Sequence, residues 1–221
     1  MKKNKKIALG VTAGIIAAYA AYQLFFKKFD SSKFKGKKIL FVGDSHTVGL
    51  SNWVGYLANK YGFTPVNTAE GGKSTAYMLS KLKTTLANSK DYYACFIYGG
   101  ANDAYSSVTN EKAVDNIQQM VDLCNQNGII PIVIIGYNTM KVSVGNEALK
   151  TTKYVTTQQG MWDLAKKRYL QQLLMRWKIK KAYIVPMWND VSHDTAKLDG
   201  LHIYGDEQKK WSQFVDRNVF R

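Results

Sequence analysis

The chain is poor in cysteine, with two in 221 residues, Cys95 and Cys124. Two cysteines do not make a disulfide framework, and a chain of this length buries enough apolar surface to fold without one. Neither belongs to a C-x-x-C pair, which excludes the common cysteine-based metal sites. Cys95 falls in a predicted strand and Cys124 in a predicted helix, so we expect two small buried apolar side chains. A bridge between them in an oxidising compartment remains an alternative.

The sequence also lacks low-complexity tracts and internal repeats of solenoid length. Repeat arrays and collagen-like or disordered chains are therefore excluded as classes. No G-x-S-x-G pentapeptide occurs, which argues against the common α/β-hydrolase layout. What remains is one folded domain of ordinary composition with a short appendage.

Acidic residues are scarce, and the formal net charge is +15. Ten lysines against one acid in residues 1–38 supply more than half of that charge, on both sides of an apolar run. This distribution is typical of membrane segments, so nucleic-acid binding ranks last among the possible functions. A second basic cluster is typical of a solvated helix face, with attraction to anionic glycans or lipid head groups as the alternative. It comprises Lys166, Lys167, Arg168, Arg176, Lys178, Lys180 and Lys181.

Residues 7–26 contain no charge. Twenty helical residues at a rise of ~1.5 Å span about the 30 Å of a bilayer core, so we predict a transmembrane anchor after the basic N-terminus 1–6. A cleavable signal peptide is the alternative, but the apolar run continues to the lysine pair at 27 and 28. Residues 27–36 are predicted to be a tether and 37–221 the domain. We expect that domain to be extracytoplasmic, and secreted if the segment is cleaved.

Within the domain, short apolar runs alternate with stretches of helical periodicity. This alternation predicts an α/β fold with three layers, a parallel sheet of five strands and helices on both faces. The predicted strands are 37–43, 64–69, 92–100, 129–136 and 181–188, and the predicted helices are 47–62, 74–89, 110–127, 159–178 and about 206–219. In such sheets, ligands bind at the carboxyl ends of the strands, so the chemical residues should follow strands.

Four polar segments satisfy that expectation. GDSHTVG at 43–49 places Ser45 between a strand and a helix, where backbone N–H groups favour developing negative charge. A glycine-containing turn follows the second strand at 70–74, and Asn102 follows the third. After the fifth strand comes Asp199-Gly200-Leu201-His202, a spacing that lets the carboxylate accept from Nδ1–H while Nε2 faces the serine.

These segments, in this order, resemble the four blocks of the SGNH (GDSL-type) hydrolase family, over about residues 37–219. The resemblance implies a flavodoxin-like sheet and a catalytic triad of Ser45, His202 and Asp199. It also implies an oxyanion hole made by the backbone N–H groups of Ser45 and Gly72 and by the side-chain amide of Asn102. No metal or organic cofactor is implied.

Several residues compete for these roles. Gly71 fits the family's second block less well than Gly72, which precedes Lys73-Ser74. His193 lies three residues after Asp190 and is the rival of His202, but we expect it at a loop rim. Adjacent residues on a turn point apart, which favours a rim or surface role for His46. The aromatic residues Trp53, Tyr137, Trp162 and Trp188 are expected mostly in the core, with Tyr137 and Trp188 as candidates for lining a sugar or acyl pocket.

The function predicted from these observations is a membrane-tethered serine esterase. O-acetyl groups on an envelope polysaccharide or on peptidoglycan are the favoured substrate, because a tethered, mildly basic domain lies where such polymers are. A lipid acylhydrolase resembling a lysophospholipase is the alternative enzyme. A catalytically silent anchored carbohydrate-binding or structural module is the alternative outside enzymes. The polar connection 137–160 is a candidate rim or lid over the site.

Overall fold

A computed structural model of the chain describes residues 28–49, 52–139, 158–191, 202–203 and 205–221. The predicted membrane span 7–26, Asp199, His193 and most of the connection 137–160 lie outside these residues. None of the helices in the described ranges is both long enough and apolar enough to cross a bilayer.

Five parallel strands form one sheet in the order β2-β1-β3-β4-β5, which confirms the predicted flavodoxin-like arrangement. All four neighbouring pairs of strands are parallel. The strands are β1 (Lys38–Gly43), β2 (Thr64–Asn67), β3 (Ala94–Tyr98), β4 (Ile130–Ile134) and β5 (Tyr183–Val185). The described helices are α1 (Trp53–Tyr61), α2 (Thr75–Asn88), α3 (Ala101–Ala104), α4 (Asn110–Gln126), α5 (Gln158–Lys178) and α6 (Gly205–Val219).

Two buried clusters sandwich the sheet and make it a three-layer fold. Alternate side chains of a strand point to opposite faces, so in β1 Phe41 belongs to one cluster while Leu40 and Val42 belong to the other. Helices α1 and α6 cover the first face, and α2, α4 and α5 cover the second. Helices on both faces are what a parallel sheet with crossover connections requires.

The first predicted helix is shorter than expected, because Ser45–Thr47 form a turn and α1 begins only at Trp53. The Asn52 side chain accepts a hydrogen bond from the Val54 N–H and caps this helix. The turn between β1 and α1 keeps the serine at the sheet edge rather than inside a helix.

Residues 28–36, predicted to be a tether, pack onto the domain. Phe34 is completely buried in a short 3-10 helix, and its ring makes edge contacts with Tyr93 and Phe220. Phe29 forms a β-bridge with Phe220. Two phenylalanines in a stretch otherwise rich in lysine and serine carry enough apolar surface to fold this segment back onto the first face of the sheet.

The two cysteines are buried and unbridged. Cys95 lies in β3 and Cys124 in α4, within the same cluster. Burial raises the pKa of the Cys95 thiol well above its ordinary value, and the neighbouring Cys124 thiol adds to the effect. Both therefore serve as small apolar side chains, as the sequence predicts.

Candidate active site

Ser45 and His202 are in direct contact, although 157 positions separate them in the chain. The Ser45 Oγ lies 2.8 Å from the His202 Nε2. Ser45 follows β1 and His202 immediately precedes α6, so both stand at the carboxyl edge of the sheet. A hydroxyl within hydrogen-bond reach of an imidazole nitrogen is the geometry that nucleophile activation requires. Asp199, the predicted third member, lies outside the described residues.

The turn that carries Ser45 is held by its own backbone. The Asp44 Oδ1 accepts a hydrogen bond from the His46 N–H at 3.1 Å, and the Thr47 N–H donates to the Asp44 carbonyl at 2.9 Å. Gly43 is required here, because a Cβ at this position would lie 2.5 Å from the Thr47 Oγ1 and 2.8 Å from the Tyr98 carbonyl oxygen. The sharp turn therefore follows directly from the residue types of the G-D-S segment.

The glycine turn after β2 lies against Ser45. A Cβ on Gly71 would lie 3.8 Å from the Ser45 Cβ, and the Glu70 N–H donates to the Gly43 carbonyl at 3.1 Å. Gly72 has a φ of +75°, a left-handed conformation that favours glycine. Gly72, the predicted oxyanion donor, is therefore the residue after Gly71, which lies against Ser45.

The third segment is tied to the second by side-chain hydrogen bonds. The Asn102 Nδ2 donates to the Lys73 carbonyl at 3.0 Å. Asp103, almost completely buried, accepts from the Thr75 N–H at 2.9 Å and from the Thr75 Oγ1 at 2.6 Å. These hydrogen bonds tie the segment that carries Gly72 to the segment that carries Asn102.

Two buried ionisable side chains, Asp44 and Arg168, lie behind the site. Burial raises the pKa of the Asp44 carboxyl to about 6, against the opposing effects of the His46 N–H and of the Arg168 and His202 charges. Burial also lowers the pKa of the Arg168 guanidinium. The Arg168 Nη2 donates to the Gly99 carbonyl at 3.0 Å, immediately before the Asn102 segment. Within the described part of the chain, the Asp44 Oδ2 has no hydrogen-bond partner.

Arg168 corrects a prediction. The sequence predicts a solvated helix face for Arg168 and six other basic residues, but the Arg168 side chain is buried, as are those of Gln171 and Gln172 on α5. The signal was present in the spacing, since Ala165, Arg168 and Met175 follow a helical period with buried apolar ends. A polar residue at a core position of such a pattern marks a buried contact.

A cavity of about 280 Å³ opens beside Ser45 and His202. Aromatic rings dominate its wall, namely those of His46, Trp53, Tyr98, Tyr137 and Trp211. Its other polar groups include Asn52, the residue before α1, and Gln208 on α6. The cavity therefore belongs to the first face of the sheet, whereas the Asn102 segment is tied to the second through Thr75 and Arg168.

His46 lies on the cavity wall, and its ring contacts the ring of His202. Its ring centroid is 4.9 Å from that of His202, 5.4 Å from that of Tyr98 and 5.6 Å from that of Tyr137. The turn holds Ser45 and His46 on the wall of the same cavity. The sequence expectation of a rim position is correct for His46, but its contact with the His202 ring was missed.

The other aromatic candidates divide. Tyr137 lines the cavity as predicted, while Trp188 is buried against Trp211 and is not part of the cavity wall. Trp53 is both core and cavity wall. Trp162, expected in the core, is partly exposed on α5. Asp190, which precedes the rival His193 by three residues, is exposed.

Several solved structures that share this architecture are named as esterases or lipases. A GDSL-like lipase from Bacteroides thetaiotaomicron superposes with a TM-score of 0.62 at 16% identity, over 82% of this chain and 86% of that one. The psychrotrophic esterase EstA from Pseudoalteromonas sp. gives 0.58 at 16% identity, over 82% and 96%. Axe2, an acetylxylan esterase from Geobacillus stearothermophilus, gives 0.57 at 14% identity, over 85% and 95%.

No family model matches the chain, and no curated protein matches it in sequence. The identities to the solved structures are low, so the likeness concerns the fold. That fold joins a G-D-S turn after β1, a glycine turn after β2, an asparagine after β3 and a histidine before the last helix. The chain therefore has the fold of the SGNH (GDSL-type) hydrolases.

Proposed function

We propose that this protein is a serine hydrolase of carboxylic esters, with Ser45 as the nucleophile and His202 as the general base. The observation that carries the proposal is the 2.8 Å contact between the Ser45 Oγ and the His202 Nε2 at the mouth of a cavity. The structural neighbours named as esterases and lipases support the same reaction class.

The reaction follows from the geometry in two halves. The Ser45 Oγ attacks the ester carbonyl carbon while His202 Nε2 takes its proton, and the carbonyl oxygen becomes an oxyanion. As that intermediate collapses, His202 returns the proton to the departing alcohol oxygen and leaves an acyl group on Ser45. Water then repeats the sequence, releasing the acid and restoring the serine hydroxyl. Asp199 is assigned the role of orienting the His202 ring.

The oxyanion is assigned to three donors, the N–H groups of Ser45 and Gly72 and the Asn102 amide. Removing one such donor typically costs about 3–4 kcal/mol of transition-state stabilisation. The Asn102 amide carries two N–H bonds, of which one already donates to Lys73. The second is available for the oxyanion, which makes the Lys73 contact the anchor of this donor.

For the substrate, we propose O-acetyl groups on an envelope polysaccharide or on peptidoglycan. The cavity of about 280 Å³ beside Ser45 has room for a short acyl group. Its aromatic wall offers flat apolar surfaces of the kind against which sugar rings pack. The neighbours named acetylxylan esterases act on acetylated glycans and support the same class.

The location is part of the proposal. We assign residues 7–26, twenty residues without a charge, as a single-pass anchor that leaves the domain extracytoplasmic. Envelope polymers are then within its reach. A lipid acylhydrolase is the alternative that the same location favours, and the preferred acyl length separates the two.

The test compares the full-length chain in mild detergent with Ser45→Ala and with Ser80→Ala, a matched removal of an exposed helix hydroxyl. Acid release is measured from short and long p-nitrophenyl esters and from acetylated glycans, together with labelling by a fluorophosphonate. We expect turnover and labelling in the wild type and in Ser80→Ala, and neither in Ser45→Ala. A preference for acetyl esters supports the glycan, and a preference for long chains supports the lipid. The absence of both turnover and labelling would leave an anchored binding module.

A further inference from the structure

The parallel sheet brings two basic segments to its amino edge, opposite Ser45. Residues 28–37 precede the first residue of β1, and residues 179–182 precede the first residue of β5. The first residues of parallel strands lie at one edge of a sheet and their last residues at the other. Both segments therefore lie at the end of the domain that is remote from the candidate active site.

Direct contacts join these two segments. The Phe29 ring lies 5.0 Å from the ring of Tyr183, the first residue of β5. The Phe29 carbonyl accepts a hydrogen bond from the Arg221 N–H at 3.0 Å, and the Tyr183 hydroxyl donates to the Asn218 carbonyl. One continuous surface therefore includes Phe29, where the chain enters the domain, the end of α6 and the start of β5.

This surface, here named the entry face, is strongly basic. Its exposed cations comprise Lys33, Lys35, Lys37, Lys178 and Lys181. Three acids lie among them, and each is engaged. The Asp122 Oδ1 accepts a hydrogen bond from the Gln118 Nε2 at 2.9 Å, and the same nitrogen contacts the Lys180 carbonyl. Asp30 caps the 3-10 helix, where hydrogen bonds from Ser32 lower the pKa of its carboxyl, and Asp91 pairs with Lys38 at 2.9 Å. The entry face therefore carries more positive than negative charges, and these charges come from residues up to about 150 positions apart in the sequence.

Trp177 stands on the same face. It is the penultimate residue of α5 and is 73% exposed, more than any other large apolar side chain in the described ranges. The Lys180 Nζ donates to the Trp177 carbonyl at 2.9 Å, which caps the helix. A tryptophan flanked in the sequence by Arg176 and Lys178 is a combination typical of membrane–water interfaces.

The occupant of the entry face is indicated by the chain that precedes it. Twenty-seven residues lie before Lys28, and twenty of them, 7–26, contain no charge. Their end is joined directly to the entry face through Phe29. We propose that the entry face lies against anionic phospholipid head groups, with Trp177 at the interface, so that the cavity at Ser45 opens away from the bilayer. This inference rests on the proposed anchor at residues 7–26 and uses no part of the proposed esterase chemistry.

The test places the full-length chain in vesicles of phosphatidylcholine alone, or of equal parts phosphatidylcholine and phosphatidylglycerol. A phosphatidylcholine with a nitroxide on its head group quenches tryptophan at the surface, and Trp177→Phe identifies the signal of Trp177. We expect Trp177 to be quenched in the anionic vesicles, little in the neutral ones, and to recover at high salt. High salt does not remove a membrane-spanning anchor. Retention of the chain in the vesicles therefore reports on the anchor, and quenching of Trp177 reports on the contact of the entry face.

Charge variants sharpen the test. The triple change Lys35→Glu, Lys37→Glu and Lys178→Glu alters the entry face, and Lys112→Glu, Lys166→Glu and Lys209→Glu alters the net charge equally near the opposite edge. Each cation near an anionic surface contributes roughly fivefold to binding, so the loss of three lysines alone should weaken the contact by roughly a hundredfold, and the three new carboxylates should weaken it further. The second should leave it nearly unchanged.

Four results would overturn the proposal. They are equal quenching of Trp177 in neutral and anionic vesicles, no quenching in either, equal loss in the two triple variants, and shielding of Trp177 that depends on protein concentration in detergent. The last result would assign the entry face to a second copy of the chain. Loss of the chain from neutral vesicles would argue against the anchor at residues 7–26. Quenching of Trp177 in anionic vesicles would still test whether the entry face binds anionic lipid.

Discussion

The two faces of the sheet bury different kinds of side chain. The face under α1 and α6 is rich in aromatic rings, including Phe41, Trp53, Phe96, Tyr98 and Trp211. Among the described residues buried on the other face, under α2, α4 and α5, there is no phenylalanine, tyrosine or tryptophan. Both faces are close-packed, but they contribute differently to the candidate active site.

The cavity beside Ser45 lies on the aromatic face, where Trp53, Tyr98 and Trp211 line it. The aliphatic face instead holds the polar groups that anchor the Asn102 segment, because Thr75 and Arg168 lie on its helices. We infer that one face shapes the substrate site and the other fixes the assigned oxyanion donors. Four predictions test this division, from the largest expected effect to the smallest.

Phe34→Ala should cost more stability than any aliphatic truncation on the other face. Phe34 is completely buried among aromatic rings, and phenylalanine truncations cost about 3–5 kcal/mol. We expect about 4–5 kcal/mol for Phe34→Ala and about 3 kcal/mol for Leu82→Ala, which is also fully buried. Urea unfolding of the full-length chain in detergent measures both. A loss below about 1 kcal/mol for Phe34→Ala would mean that residues 28–36 do not pack as described.

Arg168→Met should destabilise the protein by about 3 kcal/mol at neutral pH. It leaves the Gly99 carbonyl without its hydrogen-bond donor and removes a charge that favours the ionised form of Asp44. Lys166→Met, on the exposed side of the same helix, is the control and should change the free energy of unfolding by less than about 0.5 kcal/mol. The effect of Arg168→Met should shrink at low pH, where Asp44 is neutral. An effect independent of pH would assign Arg168 to packing and to its hydrogen bond with Gly99.

The pH dependence of stability should reveal Asp44 itself. Its pKa of about 6 in the fold lies above its ordinary value of 3.8, so the folded state binds a proton more tightly than the unfolded chain. Its contribution to stability is therefore full below about pH 4 and is lost as the pH rises through about 6. The loss amounts to about 3 kcal/mol.

The measurement is the free energy of unfolding between pH 4 and 8, in the wild type and in Asp44→Asn. The wild type should lose stability relative to the variant across this range, and the difference should level off above pH 7. Parallel curves for the two proteins would show that Asp44 does not titrate in this range.

His46→Leu should have the smallest effect, confined to activity. The ring contacts of His46 with Tyr98, Tyr137 and His202 are each of the kind worth about 0.5–1.5 kcal/mol. We expect kcat/KM for an acetyl ester to fall by roughly three- to tenfold, with His46→Phe retaining most of it. Equal losses in both variants would point to the imidazole nitrogens rather than to ring packing.

Much of the fold was predictable because its signals are local. A continuous apolar run such as 130–134 indicates a strand covered on both faces, and the spacing of Val114, Ile117 and Val121 indicates a helix face. Ser45 was predictable for a related reason, since a G-D-S segment directly after a strand lies at the carboxyl edge. The assignment of Gly72, Asn102 and His202 also needed the order of all four segments.

Other features were not predictable because they depend on contacts between distant residues. Arg168 lies in a run of cations in the sequence, and only the packing of α5 on the sheet shows that it is buried and donates to the Gly99 carbonyl. Residues 28–36 have the composition of a tether, yet Phe34 finds a place among rings from β3 and the C-terminus. Composition describes a segment in isolation, whereas burial depends on what the rest of the chain presents to it.

The amino-acid sequence by itself determined the alternation of strands and helices and the polar segments that follow the strands, because backbone propensity and periodic burial act over a few residues. The tertiary structure alone decided that Ser45 meets His202 at 2.8 Å and that aromatic rings gather on one face. It also decided that lysines about 150 positions apart share the edge where the chain enters. These are properties of the path of the chain, set by which surfaces exclude water together.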